Sequence, residues 1–424
     1  MASGDAPKEA FEGKTSVITC DMNGIVQEYA ADAAALFGWS QDEVIGKMSV
    51  AMFHVPRNVP TLVPRLLREA VEKGKFEEEV VLMRKDASTF RARLTVRPLV
   101  RDGTQVGFMG MTHPLEPPGE VPVGRLWFQA LRAPFLIASL VPGLVGALAA
   151  WQAGYPVDLG LLGLALLGLA FVHLGTNMGN DAWDFRSGND LAVRHLNPFA
   201  GGSRVLLRGV LSPKTHLAVA LLFLVLGSLV GLYLVSIVGL PLLVLGLIGV
   251  ATAFFYVGPP VRLAHRGVGE IAVGLAFGPV TVLGVYYVLT RAFDPPAIAL
   301  SMTLGLLVAG ILWINEVPDI PADSAVGKRT LVVRLGVDRA TKVFSGIVLG
   351  AYVVLVLGLA VGLTPWALLG LLGLPLAMKP ILGLRKAGGD PHALIPSNAG
   401  MILATLVTGV LLLVGLAVAT FVAL

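Results

Sequence analysis

Nine long apolar runs, spread from residue 127 to the C-terminus, decide what this chain can fold into. They lie near 127–151, 158–181, 216–238, 241–257, 269–290, 296–316, 340–363, 365–384 and 398–424. A helix needs about 20 apolar residues to cross the hydrocarbon core, where a single segment must satisfy its own backbone. The runs therefore predict an all-α polytopic membrane domain of nine transmembrane helices over 125–424. Pro142, Gly143 and Pro279 fall inside them, which membrane helices tolerate. A mean hydropathy of +0.76 with only 14% charged residues excludes an ordinary soluble protein.

The first 120 residues have a different composition. They hold 14 of the 32 Lys and Arg, although they are the smaller part. MASGDAPKEAFEGK has no apolar core, so no signal peptide is expected. A lone Cys20 excludes an internal disulfide and fits a reducing compartment. The pI near 9.2 comes from basic loops rather than from a compact stripe with stacking aromatics, so no nucleic-acid partner is expected.

Those basic loops alternate along the chain. The loops after helices two, four, six and eight carry Arg186, Arg194, Arg204, Arg208 and Lys214, then Arg262 and Arg266, then Lys328, Arg329, Arg334, Arg339 and Lys342, then Lys379, Arg385 and Lys386. The opposite loops carry one basic residue, Arg291. By the positive-inside rule the basic loops are cytoplasmic, and an odd helix count puts the N-terminal domain there too. The expectation is an integral membrane protein of a bacterial or archaeal cell membrane, with its site facing the cytoplasm.

Residues 1–115 read as a small α+β domain, joined by a Pro-rich linker at 116–124. TSVITC and a second strand flank an Asn23-Gly24 turn; a helical stretch with Phe37 and Trp39 follows, and then three strands in EEEVVLMRKDAST, FRARLTVRPLV and QVGFMGMTHPL. This order, with LFGWSQDEVIGK, resembles a PAS sensor domain over about 12–115. The resemblance implies a regulatory or interaction module. No cofactor is assigned: Cys20 lies on the first strand rather than on a central helix, and His54 reads as a surface or turn histidine.

The chemistry sits where two membrane helices end. In NMGNDAWDFRSGND, Asn177, Asp181 and Asp184 are spaced i, i+4, i+7 and share a helical face, with His173 one turn deeper. In NEVPDIPADSAVGKRTLVVRLG, Asp319 and Asp323 are again i, i+4, followed by Lys328 and Arg329. One charged pair at a helix end is usually an interfacial cap; two on the same side point to a shared site. All-oxygen ligands suit Mg²⁺ held together with substrate phosphates, with Lys and Arg taking the remaining charge. His173 is read equally well as a core histidine and as a substrate contact.

NMGNDAWD is similar to the NxxxDxxD motif of the UbiA superfamily of membrane prenyltransferases, and PDIPADSAVGKRTLVVRLG to its DxxxD motif. NPFAGGSRVL, YVGPPVRLAHRGVGEI and FGPVTVLGVYYVLT further resemble the 1,4-dihydroxy-2-naphthoate polyprenyltransferases of menaquinone synthesis. The resemblance spans about 125–424 and implies that Asn177, Asp181, Asp184, Asp319 and Asp323 hold Mg²⁺ and an isoprenyl diphosphate, the four Asp being catalytic. Asp190 is a looser candidate for that set. Lys328, Arg329 and Arg204 become diphosphate partners, and Arg262 and Arg266 partners of the aromatic acid's carboxylate. The Gly201-Gly202-Ser203 turn is either an anion nest or a plain turn. Tyr256, Tyr286 and Tyr287 are read either as stabilising an allylic cation with their ring faces or as interfacial tyrosines.

One departure concerns the second motif. Pro318 and Pro321 forbid a continuous helix through Asp319 and Asp323 unless the helix restarts at Pro318, and Glu316 offers a third carboxylate. The sequence therefore implies a Mg²⁺-dependent polyprenyltransferase acting on an aromatic quinone precursor, expected to be 1,4-dihydroxy-2-naphthoate. Its partners are an isoprenyl diphosphate, the aromatic acceptor and membrane lipid. The rivals are another UbiA acceptor (4-hydroxybenzoate, homogentisate, a chlorophyll precursor or a lipid glycerol), a non-enzymatic PAS-coupled sensor, and a transporter.

Overall fold

The computed structural model describes residues 15–101, 104–115, 123–187, 205–206 and 211–423. They form two compact units, the first holding the chain up to Gln129 and the second most of the remaining residues.

In the first unit, β1 (Ser16–Asp21), β2 (Val26–Tyr29), β3 (Phe76–Met83), β4 (Thr89–Arg101) and β5 (Thr104–Pro114) make an antiparallel sheet in the order β2-β1-β5-β4-β3. The β1–β2 turn has the expected chemistry. Gly24 sits at φ +77°, and the Asp21 carboxylate accepts from the N–H groups of Asn23 (2.8 Å) and Ile25 (2.9 Å). Three helices, α1 (Ala31–Phe37), α2 (Gln41–Val44) and α3 (Val59–Lys73), cover the sheet. α2 opens with a Ser40–Glu43 capping box. Phe37, Phe53 and Phe90 pack ring to ring in the core.

His54 corrects the sequence reading. It is buried, 7% exposed, and lines a cavity of about 60 Å³ beside Cys20, Phe37, Phe53 and Phe108. Nothing in the alternation of the sequence marks it, because a one-turn 3₁₀ segment, Val50–Phe53, turns it inward. Burial pushes the Cys20 thiol up to about 11 and the His54 imidazole down to about 4. The unfolded chain thus binds this proton more readily than the folded one. His54 supports the fold fully above pH 6.5, and its support is lost as pH falls from 6.5 towards 4. Native-state proteolysis of the first unit should show it weakened by about 3 kcal/mol over that range. His54→Gln should flatten that part of the pH dependence.

The second unit is helical: α5 (Ile137–Gln152), α6 (Leu159–Ser187), α7 (Pro213–Val238), α8 (Leu240–Phe255), α9 (Gly269–Leu275) running through a π-turn into α10 (Thr281–Thr290), α11 (Pro295–Glu316), α12 (Ile320–Ala325), α13 (Leu331–Leu357), α14 (Leu374–Ala387) and α15 (Pro391–Ala423); α4 (Val123–Ala130) precedes them. Among the described residues eight helices are long and apolar enough to cross a membrane, and α8, at 16 residues, is a shorter apolar helix. The expected nine segments are all helical, but eight meet the length of a span.

Solvent preference is inverted relative to a soluble bundle. Leu222, Val225, Leu229 and Leu247 face outward, while Ser301, Thr303, Asn398 and Thr408 are fully buried. The helices approach through small residues. A Cβ on Gly227 would stand 2.7 Å from Val172, and one on Gly278 only 2.4 Å from the Ser301 carbonyl oxygen, so α6 against α7 and the π-turn against α11 both require glycine there. α6 runs six residues past the expected end and carries the whole Asn177–Asp184 motif as helix.

Candidate functional site

The first acidic motif is built as its spacing implies. Asn177 and Asp181 are buried on one face of α6, and the amide of Asn177 donates to the Leu131 carbonyl (3.2 Å), fixing the entry to α5. Asp181 meets Arg132 (3.6 Å), held at φ +51° with its guanidinium over Phe135. Asp184 Oδ1 and Asn180 Oδ1 are buried and accept no hydrogen bond. His173 belongs to the core instead: its Nδ1 pairs with the Ser139 hydroxyl (2.6 Å) and its ring packs edge-on to Phe277.

The second motif resolves its prolines differently from the expected restart at Pro318. α11 ends at Glu316, Pro318 lies in the following turn, and Asp319 is the N-cap of α12 with Pro321 in the first turn. Missing N–H groups cost nothing there. The i, i+4 relation survives, because the Asp323 N–H donates to the Asp319 carbonyl (2.8 Å). Asp323 is 1% exposed and Asp319 half-buried.

Lys328 joins the two motifs. Its Nζ lies 3.3 Å from Asp323, and Asp184, Glu316 and Tyr256 surround it. Burial alone would lower its pKa, but Asp323, Asp184 and Glu316 outweigh burial and hold it above the ordinary lysine range. Tyr256 stands in the same cluster, close to Glu316 and Lys328. Glu316 is buried close to Glu270, and the Oε2 atoms of both accept no hydrogen bond. Arg262, Arg266 and Arg329 are exposed at the same mouth. Burial, Lys328 and Arg262 push His265 below its usual range, so it is neutral there at pH 7.

Of the two readings left open for Tyr286 and Tyr287, their contacts favour the structural one. Tyr286 and Tyr287 sit about 24 Å from Glu270 along the same span, at about 1.5 Å per residue. Their hydroxyls are used there, Tyr286 on the Asp294 carboxylate and Tyr287 on the Val238 carbonyl (3.2 Å). They fasten the end of α10 to the N-cap of α11 and to the end of α7. Arg204, Asp190, Asn189 and Gly201-Gly202-Ser203 lie outside the described residues.

Three residues at the site were not found by sequence. Arg132 lies near the start of the first apolar run and looks like a boundary charge. His216 is fully buried near Asp181, with both ring nitrogens unpartnered. Glu270 follows a glycine-rich turn, and its acidity in an apolar context was the available signal.

Oxygen chemistry fits a hard dication, and buried Asp184 and Asn180 oxygens await a donor or metal. Among the described residues, however, no three His, Cys, Asp or Glu side chains converge to enclose a metal unaided. Such a set suits Mg²⁺ that arrives with phosphate ligands rather than a resident protein-caged ion.

Comparison with known proteins decides the family. The model of the UbiA prenyltransferase family matches residues 139–395. The chain belongs to the UbiA prenyltransferase family. The PAS fold matches residues 14–115. The 1,4-dihydroxy-2-naphthoate octaprenyltransferase of Mycobacterium tuberculosis is 34% identical over 272 residues, 64% of this chain and 89% of its own. The Escherichia coli protein of that name is 30% identical, covering 69% and 95%. A solved UbiA homologue from Archaeoglobus fulgidus, bound to GPP and Mg²⁺, is 16% identical, covers 68% of this chain and 99% of its own, and superimposes with a TM-score of 0.45. This UbiA member is thus a membrane prenyltransferase carrying a PAS domain.

Proposed function

We propose that the protein transfers a polyprenyl group from an isoprenyl diphosphate to 1,4-dihydroxy-2-naphthoate in menaquinone biosynthesis, using Mg²⁺. The acceptor follows from relatives named for that reaction in Mycobacterium tuberculosis, Bacillus subtilis and Escherichia coli. The carrying observation is the charge balance of the mouth. Among the described residues, the buried carboxylates Asp181, Asp184 and Asp323 have only Lys328 and Arg132 as close cations, Arg262, Arg266 and Arg329 being exposed. Dications arriving with a diphosphate would offset the repulsion it meets inside. Bound Mg²⁺ would neutralise the charge that grows on the leaving diphosphate.

Asp181, Asp184 and Asp323, with Asn177 and Asp319, would hold that metal–diphosphate unit, while Lys328 stays protonated to meet the bridging charge. Tyr256, a neutral phenol beside the cluster, offers its ring face to the developing allylic cation. Arg262 and Arg266 hold the acceptor's carboxylate. The allylic C–O bond breaks, the ring carbon bearing the carboxylate forms the new C–C bond, and CO₂ leaves; diphosphate carries away the charge, so no proton must be found. The apolar bundle shields the cation from water.

Counting α8 as the ninth crossing puts the basic loops, the site and the N-terminal domain in the cytoplasm. The domains are 1–115, PAS-like and regulatory; 116–124, linker; and 125–424, prenyltransferase. The test is mass spectrometry of products from purified protein given geranylgeranyl diphosphate, Mg²⁺ and a panel of aromatic acceptors. A prenylated, decarboxylated naphthohydroquinone is expected. Prenylation of another acceptor alone would reassign the substrate.

A further inference from the structure

The proposed acceptor-side and diphosphate-side segments are stitched together by atoms the reaction does not use. The Arg329 N–H donates to the His265 carbonyl (3.3 Å), and the Leu331 N–H donates to Glu270 Oε1 (2.6 Å). Between these two bonds lies Arg334, whose Nε donates to the Arg329 carbonyl (3.0 Å) and whose Nη2 donates to the Arg266 carbonyl (2.7 Å). One planar guanidinium therefore bridges backbone on both segments, one residue from Lys328 on one side and at Arg266 itself on the other. Lysine has no such fork. Gly267 makes the space: it sits at φ +71°, and a Cβ there would stand 3.0 Å from Arg334 Nε and 3.1 Å from the Arg329 carbonyl oxygen. Lys328 is tied in turn to Asp323 through backbone (2.8 Å) and side chain (3.3 Å).

We infer that Arg334 is a positioning residue that couples the two substrate sites: by clasping the Arg262–Arg266 turn to the Lys328 segment, it orders the acceptor's arginines when diphosphate engages Lys328. This rests on the assignments under Proposed function. Such a coupling is reciprocal and of ordinary size, about 5- to 150-fold in affinity. Arg334 touches neither substrate.

The test uses the full-length protein in lipid nanodiscs. In Arg334→Gln, KM for 1,4-dihydroxy-2-naphthoate and KM for geranylgeranyl diphosphate, each measured with the other substrate saturating, should both rise about tenfold, with kcat within about threefold of wild type. Arg334→Lys should recover only part, and Gly267→Ala, which displaces the guanidinium, should copy Arg334→Gln. Independently of turnover, inorganic pyrophosphate with Mg²⁺ should protect amides 262–270 from hydrogen exchange in wild type but not in Arg334→Gln. Equal protection in both proteins, or KM values for both substrates unchanged from wild type, overturns the coupling. If wild type fails to prenylate naphthoate, the acceptor assignment falls, while the exchange experiment still tests the clasp.

Discussion

Asp181→Ala, assayed in membranes supplied with both substrates, should lower turnover at least about a thousandfold, and Asp319→Ala should do likewise. The two residues lie 138 positions apart, one on α6 and the other the N-cap of α12, and the proposed metal–diphosphate site takes both. Asp181 is buried against Arg132, so its removal also leaves that guanidinium unopposed at the entry to α5. Asp181→Asn separates the effects. It keeps the volume and hydrogen-bonding capacity, and the fold with it, but loses the charge a dication needs. Expression and thermal stability close to wild type with turnover still lost would place the defect in metal–diphosphate binding. Retained turnover in either Ala variant would sink the mechanism.

Lys328→Met should be nearly as damaging, for a different reason. Lys328 and Asp323 form a buried pair, with side chains 12% and 1% exposed. Removing one member of such a pair typically costs about 3–5 kcal/mol, because the other charge remains in low dielectric. Without Lys328, Asp323 and Asp184 face one another with no cation between them. The variant should be destabilised in the absence of metal and partly restored by millimolar Mg²⁺, while turnover stays at least about a hundredfold down, because the diphosphate has lost a fixed partner. Since the carboxylates hold Lys328 above its ordinary pKa, wild-type activity should show no loss assignable to this lysine as pH rises to 10. An alkaline limb below pH 10 that disappears in Lys328→Arg would contradict that placement.

The sequence by itself determined the membrane class, the helical segments, the five-stranded N-terminal domain and both acidic motifs, because each is written in local periodicity. Hydropathy over about 20 residues, alternation along strands and i, i+4 spacing need no distant partner to be read. The Asn177–Asp184 face is the clearest case, since one unbroken helix carries it.

Only tertiary structure decided which residues meet. Tyr286 and Tyr287 lie in a resembling segment, but their hydroxyls are spent on Asp294 and on the Val238 carbonyl, about 24 Å along the span from Glu270. Lys328 joined the site from 144 positions beyond Asp184, and Glu270 faced Glu316 across two helices. His54 turned inward through a single 3₁₀ turn. The Arg334 clasp depends on a left-handed glycine beneath a guanidinium 67 residues away, a coincidence that no local pattern encodes. Local spacing fixes which groups share a helix face; packing between helices fixes which faces meet, and with them the charges that the site brings together.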